Sequence, residues 1–403
     1  MSTRKLSVRD LEVRGRRVFL RVDFNVPLEA GKVGDDTRVR AALPTVRLLL
    51  ERGARLVVAS HLGRPKGKPK PELSLRPVAE RFAALLERPV AMAADCVGPA
   101  VEAASRALKD GEVLLLENLR YHGEEEANDA GFAARLAALA DLYVDDAFGA
   151  AHRAHASVAA IAALLPQAAA GLLMDEELTA LGRLRDAPAP PYVALLGGAK
   201  VSDKIDLIEK LLERTHAILV GGAMAYTFLR AGGIVVGGSR VEADRVEAAG
   251  QIAARARARG VRLLLPVDHV VAANPQPGTP CSTTADAGIP EGMVGLDVGP
   301  RTRALFETEI RGAKTVFWNG PLGLFEVPPY DAGTLAAARA IAAARPYSVV
   351  GGGDSVAAVT RLGLEREFSH VSTGGGASLE FLSGLVLPGV AALTDAAGAG
   401  GRG

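Results

Sequence analysis

The regular alternation of short aliphatic runs with longer stretches at helical spacing is the feature that most restricts what this chain can become. Runs that read as strands occur at Val18–Val22, Leu56–Ala59, Val113–Leu116 and Leu142–Val144. They occur again at Tyr192–Leu196, Ala217–Val220, Leu263–Pro266, Thr315–Trp318 and Tyr347–Val350. Between them lie Ala/Leu/Arg-rich segments with the periodicity of helices, the pattern of βα units wrapped around parallel sheets. With 403 residues the chain exceeds one ordinary core, since domains usually run to ~100–200 residues, so two domains are expected. Leu172–Leu184 reads as a helix, and the Pro-rich break Asp186-Ala-Pro-Ala-Pro-Pro191 comes after it, before a fresh strand. The boundary is placed at that break, with the helix as connector.

Charge and composition remove several classes of function. Against 47 basic residues stand 46 acidic ones, a net charge of +1. Such a balance gives no broad field to attract nucleic acid or an anionic membrane, so any anion site must be local. Cys96 and Cys281 are the only cysteines and form no CxxC, so neither a disulfide framework nor a structural zinc is expected, and a reducing compartment fits. The first residues contain no apolar core of a secretory signal, and no apolar stretch reaches the ~18–20 residues of a membrane span. A soluble, cytoplasmic protein is the expectation.

The residues just past each strand carry the chemistry, because ligands of open α/β sheets bind beyond the carboxyl ends of strands. In the first half those ends run into Asp23-Phe-Asn25, Ser60-His-Leu-Gly-Arg64, Glu117-Asn-Leu-Arg120 and Asp145-Asp-Ala-Phe-Gly149. With Arg38, in the loop-like GKVGDDTRVR stretch opening a helix, Arg21, Arg64, Arg120 and Arg153 make five arginines at or near probable loop positions of this half, with His61 among them. Guanidinium forks match phosphate and carboxylate bidentately and stay charged at any relevant pH. A phosphorylated carboxylic acid suits such a pocket; scattered solvent-facing arginines are the competing reading, and counting does not separate the two. His152-x-x-His155 lacks a third ligand nearby and is not HExxH.

In the second half the strand ends are glycine-rich: Gly197-Gly-Ala-Lys200, Gly221-Gly222, Asn319-Gly-Pro321 and Gly351-Gly-Gly-Asp-Ser355. Glycines allow close backbone approach, and the amides of a helix start attract an anion. The spacing of Lys200 and Lys204 predicts one helix face for both, suited to a polyphosphate. Asp354 can hold a nucleotide-bound Mg²⁺ and the Ser355 hydroxyl a phosphate oxygen. Gly353-Asp-Ser-Val-Ala357 falls short of the GxSxG nucleophile elbow, whose second glycine it lacks. There is no GxxxxGK[ST], and the one GxGxxG, through Gly398, Gly400 and Gly403, ends the chain with no helix after it. A third glycine cluster, Ser372-Thr-Gly-Gly-Gly-Ala377, again precedes a helical stretch.

Taken together these segments closely resemble the phosphoglycerate kinase family. RVDFNVP, SHLGRP, ENLRYH, DAFGAAHRAHAS, LGGAKVSDKI, GLDVGP, WNGPLGLFE, GGGDS and STGGGASLE occur in that family's order from Arg21 to Glu380. The resemblance implies two Rossmann-like α/β domains with parallel sheets flanked by helices, joined by a connecting helix and hinge. Residues 1–170 would bind 3-phosphoglycerate, 171–186 connect, 187–380 bind nucleotide, and 381–403 return toward the first domain and end in a tail. Asp23 and Asn25 would meet the hydroxyl and carboxyl end of the substrate, within a basic patch of Arg21, Arg38, His61, Arg64, Arg120 and Arg153. For MgADP or MgATP, Lys204 would contact phosphates, Gly295 and Glu326 the nucleoside, Gly352, Gly353, Asp354 and Ser355 the phosphate chain, and Asp354 the metal. Arg38, Lys200 and the amides of Gly374 and Gly375 would stabilise the group in transfer. Family habit implies a monomer whose partners are small molecules, not nucleic acid or membrane. Departures are mild: a Lys/Pro-rich loop at Lys66–Glu72, Ser355 where many relatives carry Thr, and an unmatched tail beyond Asp395. A non-catalytic nucleotide-binding protein on the same fold would be expected to lose some of Arg38, Lys200, Lys204 or Asp354, and all are present.

Overall fold

The structure, a computed structural model, describes residues 4–396. The chain forms two compact units: one holds the described chain up to Thr179 and the stretch from Val386 on, the other Ala180–Leu385. The change of unit falls inside the helix Leu172–Asp186. The GxGxxG match at Gly398–Gly403 lies outside the described residues.

The first unit is built on β1 (Arg17–Arg21), β2 (Arg55–Ala59), β3 (Ala91–Met92), β4 (Val113–Leu115), β5 (Leu142–Asp145) and β6 (Ala168–Ala170). They lie side by side as β3-β4-β2-β1-β5-β6, every pair parallel. Strands buried on both faces explain the continuous aliphatic runs of the sequence. Helix α1 (Thr37–Glu51) buries Val39, Ala42, Leu43, Val46, Leu49 and Leu50, and α2 (Arg76–Leu86) buries Val78, Ala79, Phe82 and Leu86. Both stripes keep helical spacing and pack with Val18, Leu20, Leu56 and Val58 in one core. Each large aliphatic or aromatic side chain fully buried there contributes roughly 1.5–3 kcal/mol. The chain turns from one side of β1 to the other between β4 and β5, so the crevice of this sheet opens at the ends of β1 and β5. There Arg21 is in register with Asp145 on one side and Ala59 on the other.

The second unit repeats the scheme with β7 (Tyr192–Leu196), β8 (Ala217–Val220), β9 (Arg262–Leu264), β10 (Thr315–Asn319), β11 (Tyr347–Gly351) and β12 (His370–Val371). Their order is β9-β8-β7-β10-β11-β12, again parallel, with the switch between β7 and β10. Trp318 is fully buried, 6.2 Å from the ring of Phe368, and its indole N–H donates to Gly320 O at 2.9 Å. That bond fixes the turn after β10. Sequence periodicity did not reveal an additional antiparallel sheet, in which His269–Ala272 is flanked by Cys281–Thr283 and Val294–Val298. Its outer strand Cys281–Thr283 is wholly exposed, so no buried apolar run marks it.

The stretch 386–396 is stitched into the first unit. Leu6 N donates to Thr394 O, and Thr394 N to Ala168 O, at 2.8 and 2.9 Å. Lys5 pairs with Asp395 at 2.7 Å, and Leu387 and Leu393 are buried. A Cβ on Gly389 would sit 2.7 Å from the side chain of Val158 and 3.0 Å from the Ala151 backbone. Gly389→Val should therefore overpack this contact and lower stability by about 1–3 kcal/mol, read as a reduced urea midpoint of the first unit's transition.

Candidate active site

In the first unit, cationic side chains converge at the ends of β1 and β2. Arg38 stands in the first turn of α1, half-exposed, and its Nη1 meets Asp23 Oδ2 at 2.8 Å. Asn25 Oδ1 accepts from Gly63 N at 2.8 Å, and Arg120 Nη1 donates to Gly63 O at 2.9 Å. Asn118, fully buried, accepts from Leu62 N and Arg120 N and donates to Leu62 O and Leu73 O. It locks the His61–Arg64 loop onto the segment that carries Arg120. The guanidinium of Arg153 reaches His152 Nε2 at 3.1 Å. Arg64 is exposed.

Electrostatics shows how close these charges lie. Burial, and then Arg21, Arg120, Arg38 and His155, push the His61 imidazole well below its usual range. His155 falls to about 4, from burial and then Arg120, Arg21 and Arg153. A local positive field of this kind suits an anion and disfavours imidazolium. Arg21 is fully buried and belongs to the support of the pocket. Its Nε donates to Ser157 Oγ at 2.9 Å, Nη1 to Val22 O, and Nη2 to His61 Nδ1 at 3.1 Å. Ser157 in turn donates through Oγ and N to the two oxygens of Glu125, at 2.6 and 2.9 Å. An arginine offers only donors, so Nδ1 of His61 accepts and the ring proton sits on Nε2, available to a ligand oxygen. Burial raises the Glu125 carboxyl, with Arg21 and the Ser157 bonds opposing that rise.

The second unit gathers its groups at the β7/β10 switch. Lys204 is buried, and its Nζ donates to Asn319 O at 2.9 Å and to Asn319 Oδ1. Burial lowers its pKa to about 8, against the opposing charges of Asp203 and Asp354. Asn319 Nδ2 donates to Gly351 O at 2.9 Å, tying β10 to the glycine turn after β11. That turn opens helix Gly353–Arg361 with Gly352 at its cap, φ 90°, and Gly353 and Asp354 exposed. No non-neighbouring protein atom comes within 4 Å of a Cβ placed on Gly353 or Gly375. Gly374 is buried, its N–H on Ser372 Oγ at 3.2 Å, while Gly375 caps Gly376–Leu382. Gly295 lies in the antiparallel sheet, where a Cβ would strike Tyr226 Oη at 2.3 Å. Leu324 N bonds Leu296 O at 2.8 Å, so the segment of Glu326, which is exposed, runs beside that of Gly295.

Three expectations from sequence change here. The helix after Lys204 begins only at Ile205, so Lys200 and Lys204 do not share a helix face: Lys204 caps it, buried, and Lys200 is an exposed loop residue. Gly197 is small for the protein's own sake, because a Cβ would meet Pro321 O at 2.1 Å. The Ser355 hydroxyl is buried and accepts from Gly320 N at 2.6 Å, so it anchors a turn and is not open to phosphate. Glu125, Ser157, Asn118 and Asn319 were assigned no role from the sequence. For Asn319 a signal existed, a polar residue directly after the buried run Thr315–Trp318; an acid within Glu124-Glu125-Glu126 gives none.

An α/β protein with a cationic pocket at one switch point and a lysine beside open amides at the other has the make-up of a phosphotransferase. The family described as Phosphoglycerate kinase matches residues 8–385. A phosphoglycerate kinase of Moorella thermoacetica is 55% identical over 391 residues, 97% of this chain and 99% of that protein. Among solved structures, phosphoglycerate kinase from Coxiella burnetii superposes with a TM-score of 0.87 at 40% identity, covering 96% of this chain and 98% of that one. The enzyme from Pyrococcus horikoshii OT3 gives 0.86 at 33%, with the same coverage. The chain belongs to the phosphoglycerate kinase family.

Lys204 supplies a pH test. With a pKa of about 8 the amine is half neutral at pH 8, and a bound polyphosphate raises that value, so binding should take up as much as ~0.5 proton. Calorimetry of ADP or ATP binding at pH 8, in buffers of different ionisation heat, should give that uptake and lose it in Lys204→Met. Uptake unchanged in Lys204→Met would exclude this lysine as its source.

Proposed function

We propose that the chain catalyses reversible phosphoryl transfer between 1,3-bisphosphoglycerate and MgADP, giving 3-phosphoglycerate and MgATP, the phosphoglycerate kinase step of glycolysis. The observation that carries the reading is the gathering of arginines around His61. Arg21 Nη2 lies 3.1 Å from its Nδ1, Arg38 stands in the first turn of α1 on Asp23, and Arg120 Nη1 sits on the Gly63 carbonyl two residues further on. A phosphate and a carboxylate on one small molecule neutralise such a cluster. In this assignment Arg38, Arg64, Arg120, Arg153 and the His61 Nε2–H bind the phosphoglycerate, and Asp23 and Asn25 orient its hydroxyl and carboxyl end. Arg21 acts through His61. In the second unit, Gly352, Gly353 and Lys204 receive the nucleotide phosphates, Ser355 holds their turn, and Gly295 and Glu326 flank the nucleoside.

The metal fits as part of the nucleotide. Asp354 is an exposed carboxylate in the first turn beside the glycine turn, one hard oxygen donor and not a cage. Mg²⁺ favours that arrangement, taking one or two carboxylates and the rest from phosphate and water. When bound it neutralises phosphate charge.

Chemically little else is required. A carboxylate of pKa ~4 is already an ionised nucleophile at neutral pH, so no general base is needed. Catalysis is then positioning and charge neutralisation of the phosphoryl group in flight. Arg38 and Lys200, with the amide at Gly375, supply the neutralisation; the Gly374 amide, expected from the sequence to share that role, is buried on Ser372 Oγ and holds the turn. The substrates sit on separate units, so in-line transfer requires hinge closure, which also excludes water and limits ATP hydrolysis. A cytoplasmic monomer suits the reading.

The direct test is a hydroxylamine trap for acyl phosphate with ATP, Mg²⁺ and 3-phosphoglycerate. Hydroxamate should form only when all three are present; none from folded, nucleotide-binding protein would move the assignment to a non-catalytic binder. Arg38→Ala should lower kcat by roughly 10²–10³, the usual range for losing one transition-state donor, with an unchanged thermal transition. Near-normal kcat would remove Arg38 from the reaction.

A further inference from the structure

The first unit carries a second cluster of chemistry-bearing groups that the phosphoryl transfer does not use. The Asp95 carboxylate, the Cys96 thiol and the His122 imidazole approach so that their ligand atoms all lie within 4.8 Å of one another. Asp95 Oδ1 is 2.7 Å from His122 Nε2 and accepts from Cys96 N at 2.6 Å. The His122 ring is stacked on Phe132 at 5.2 Å, and its backbone N–H closes the turn Leu119–Tyr121 by bonding Leu119 O at 3.2 Å. Cys96 is fully buried, whereas the side chains of Asp95 and His122 remain 49% and 23% exposed, which leaves a path from solvent.

We propose that Asp95, Cys96 and His122 form a binding site for a divalent transition-metal ion of zinc type. One thiolate, one imidazole and one carboxylate make the mixed S, N, O set that such ions favour over Mg²⁺ or Ca²⁺. Tetrahedral bonds of ~2.0–2.3 Å place ligand atoms roughly 3.3–3.8 Å apart, so closure around an ion takes a movement of about 1 Å. Three protein ligands leave the fourth position to water. On binding, the Cys96 thiol releases its proton to solvent, and the imidazole proton moves from Nε2 to Nδ1. Cysteine spacing alone did not point here, because His122 is remote in sequence. His122 sits two residues past Arg120, so an occupied site stiffens the turn that presents Arg120. The site stands independently of the reaction assigned above.

Cobalt(II), a spectroscopic stand-in for zinc, provides the test on the full-length, metal-stripped protein. Cys281→Ala removes the exposed second cysteine and should leave binding intact. One equivalent of Co²⁺ should then give the thiolate-to-cobalt charge-transfer band and intense visible bands of a tetrahedral site, and Zn²⁺ should bleach both. Cys96→Ala and His122→Gln should abolish the charge-transfer band or weaken affinity by on the order of 100-fold, the scale lost even when outer partners are removed. Should Cys96→Ala disturb folding, His122→Gln, with a less buried side chain, carries the same test. Absence of the charge-transfer band in Cys281→Ala, or its persistence in folded Cys96→Ala, overturns the proposal and leaves a hydrogen-bonded Asp–His–Cys cluster.

Discussion

A guanidinium with no access to water organises the first unit. Arg21 ends the central strand, and there the sheet would otherwise bury an uncompensated charge at a cost of several kcal/mol. Compensation comes from Ser157, the Val22 carbonyl, His61 and, at one remove, Glu125. These partners are drawn from several segments, so satisfying one buried cation fixes the relative placement of the loops that carry the pocket. Two other arginines of the pocket are held by carboxylates instead, Arg38 by Asp23 and Arg120 by Glu126.

The second unit solves a related problem with a weaker base. Lys204 is held by the backbone and side chain of Asn319, neutral acceptors that leave its charge largely uncompensated. Asn319 also reaches Gly351, so the lysine, the turn after β10 and the glycine turn after β11 form one rigid assembly with Ser355 and Trp318. Open space remains beside Gly353, while Gly197 is filled by backbone. The glycines thus divide into those with open space beside them and those whose space the protein fills.

This division shows what a one-dimensional reading can and cannot recover. The βα alternation and most of the central strands were legible because burial on both faces demands unbroken aliphatic runs. The strands at Ala91–Met92, Ala168–Ala170 and His370–Val371 were not, being too short for any period to register. Among candidate site residues, His61 and Arg120 stood out by following strand ends, whereas Arg38 lies in the first turn of a helix, and counting arginines could not separate a cluster around Arg21 from a scatter. Whether a given residue faces ligand or supports another was not. Arg21 and Ser355 stand in the motifs but are used by the protein itself, and Glu125 is hidden in an acidic run that looks like a solvated surface. The start of the helix at Ile205 depends on how the loop meets Glu242, whose carboxylate takes the Val201 and Ser202 amides. Local spacing carries no trace of that contact.

The return of residues 386–396 to the first unit bears on how the protein is made. Ala168 and Leu6 pair with Thr394, so the sheet edge and the amino-terminal stretch wait for a segment translated after the whole of Ala180–Leu385. Domains usually fold as they leave the ribosome, amino-terminal first. Here every residue of Ala180–Leu385 is translated before the partner of Leu6 and Ala168 exists. A ribosome stalled just after Leu385 would have made all of the second unit while the first still lacked its clasp.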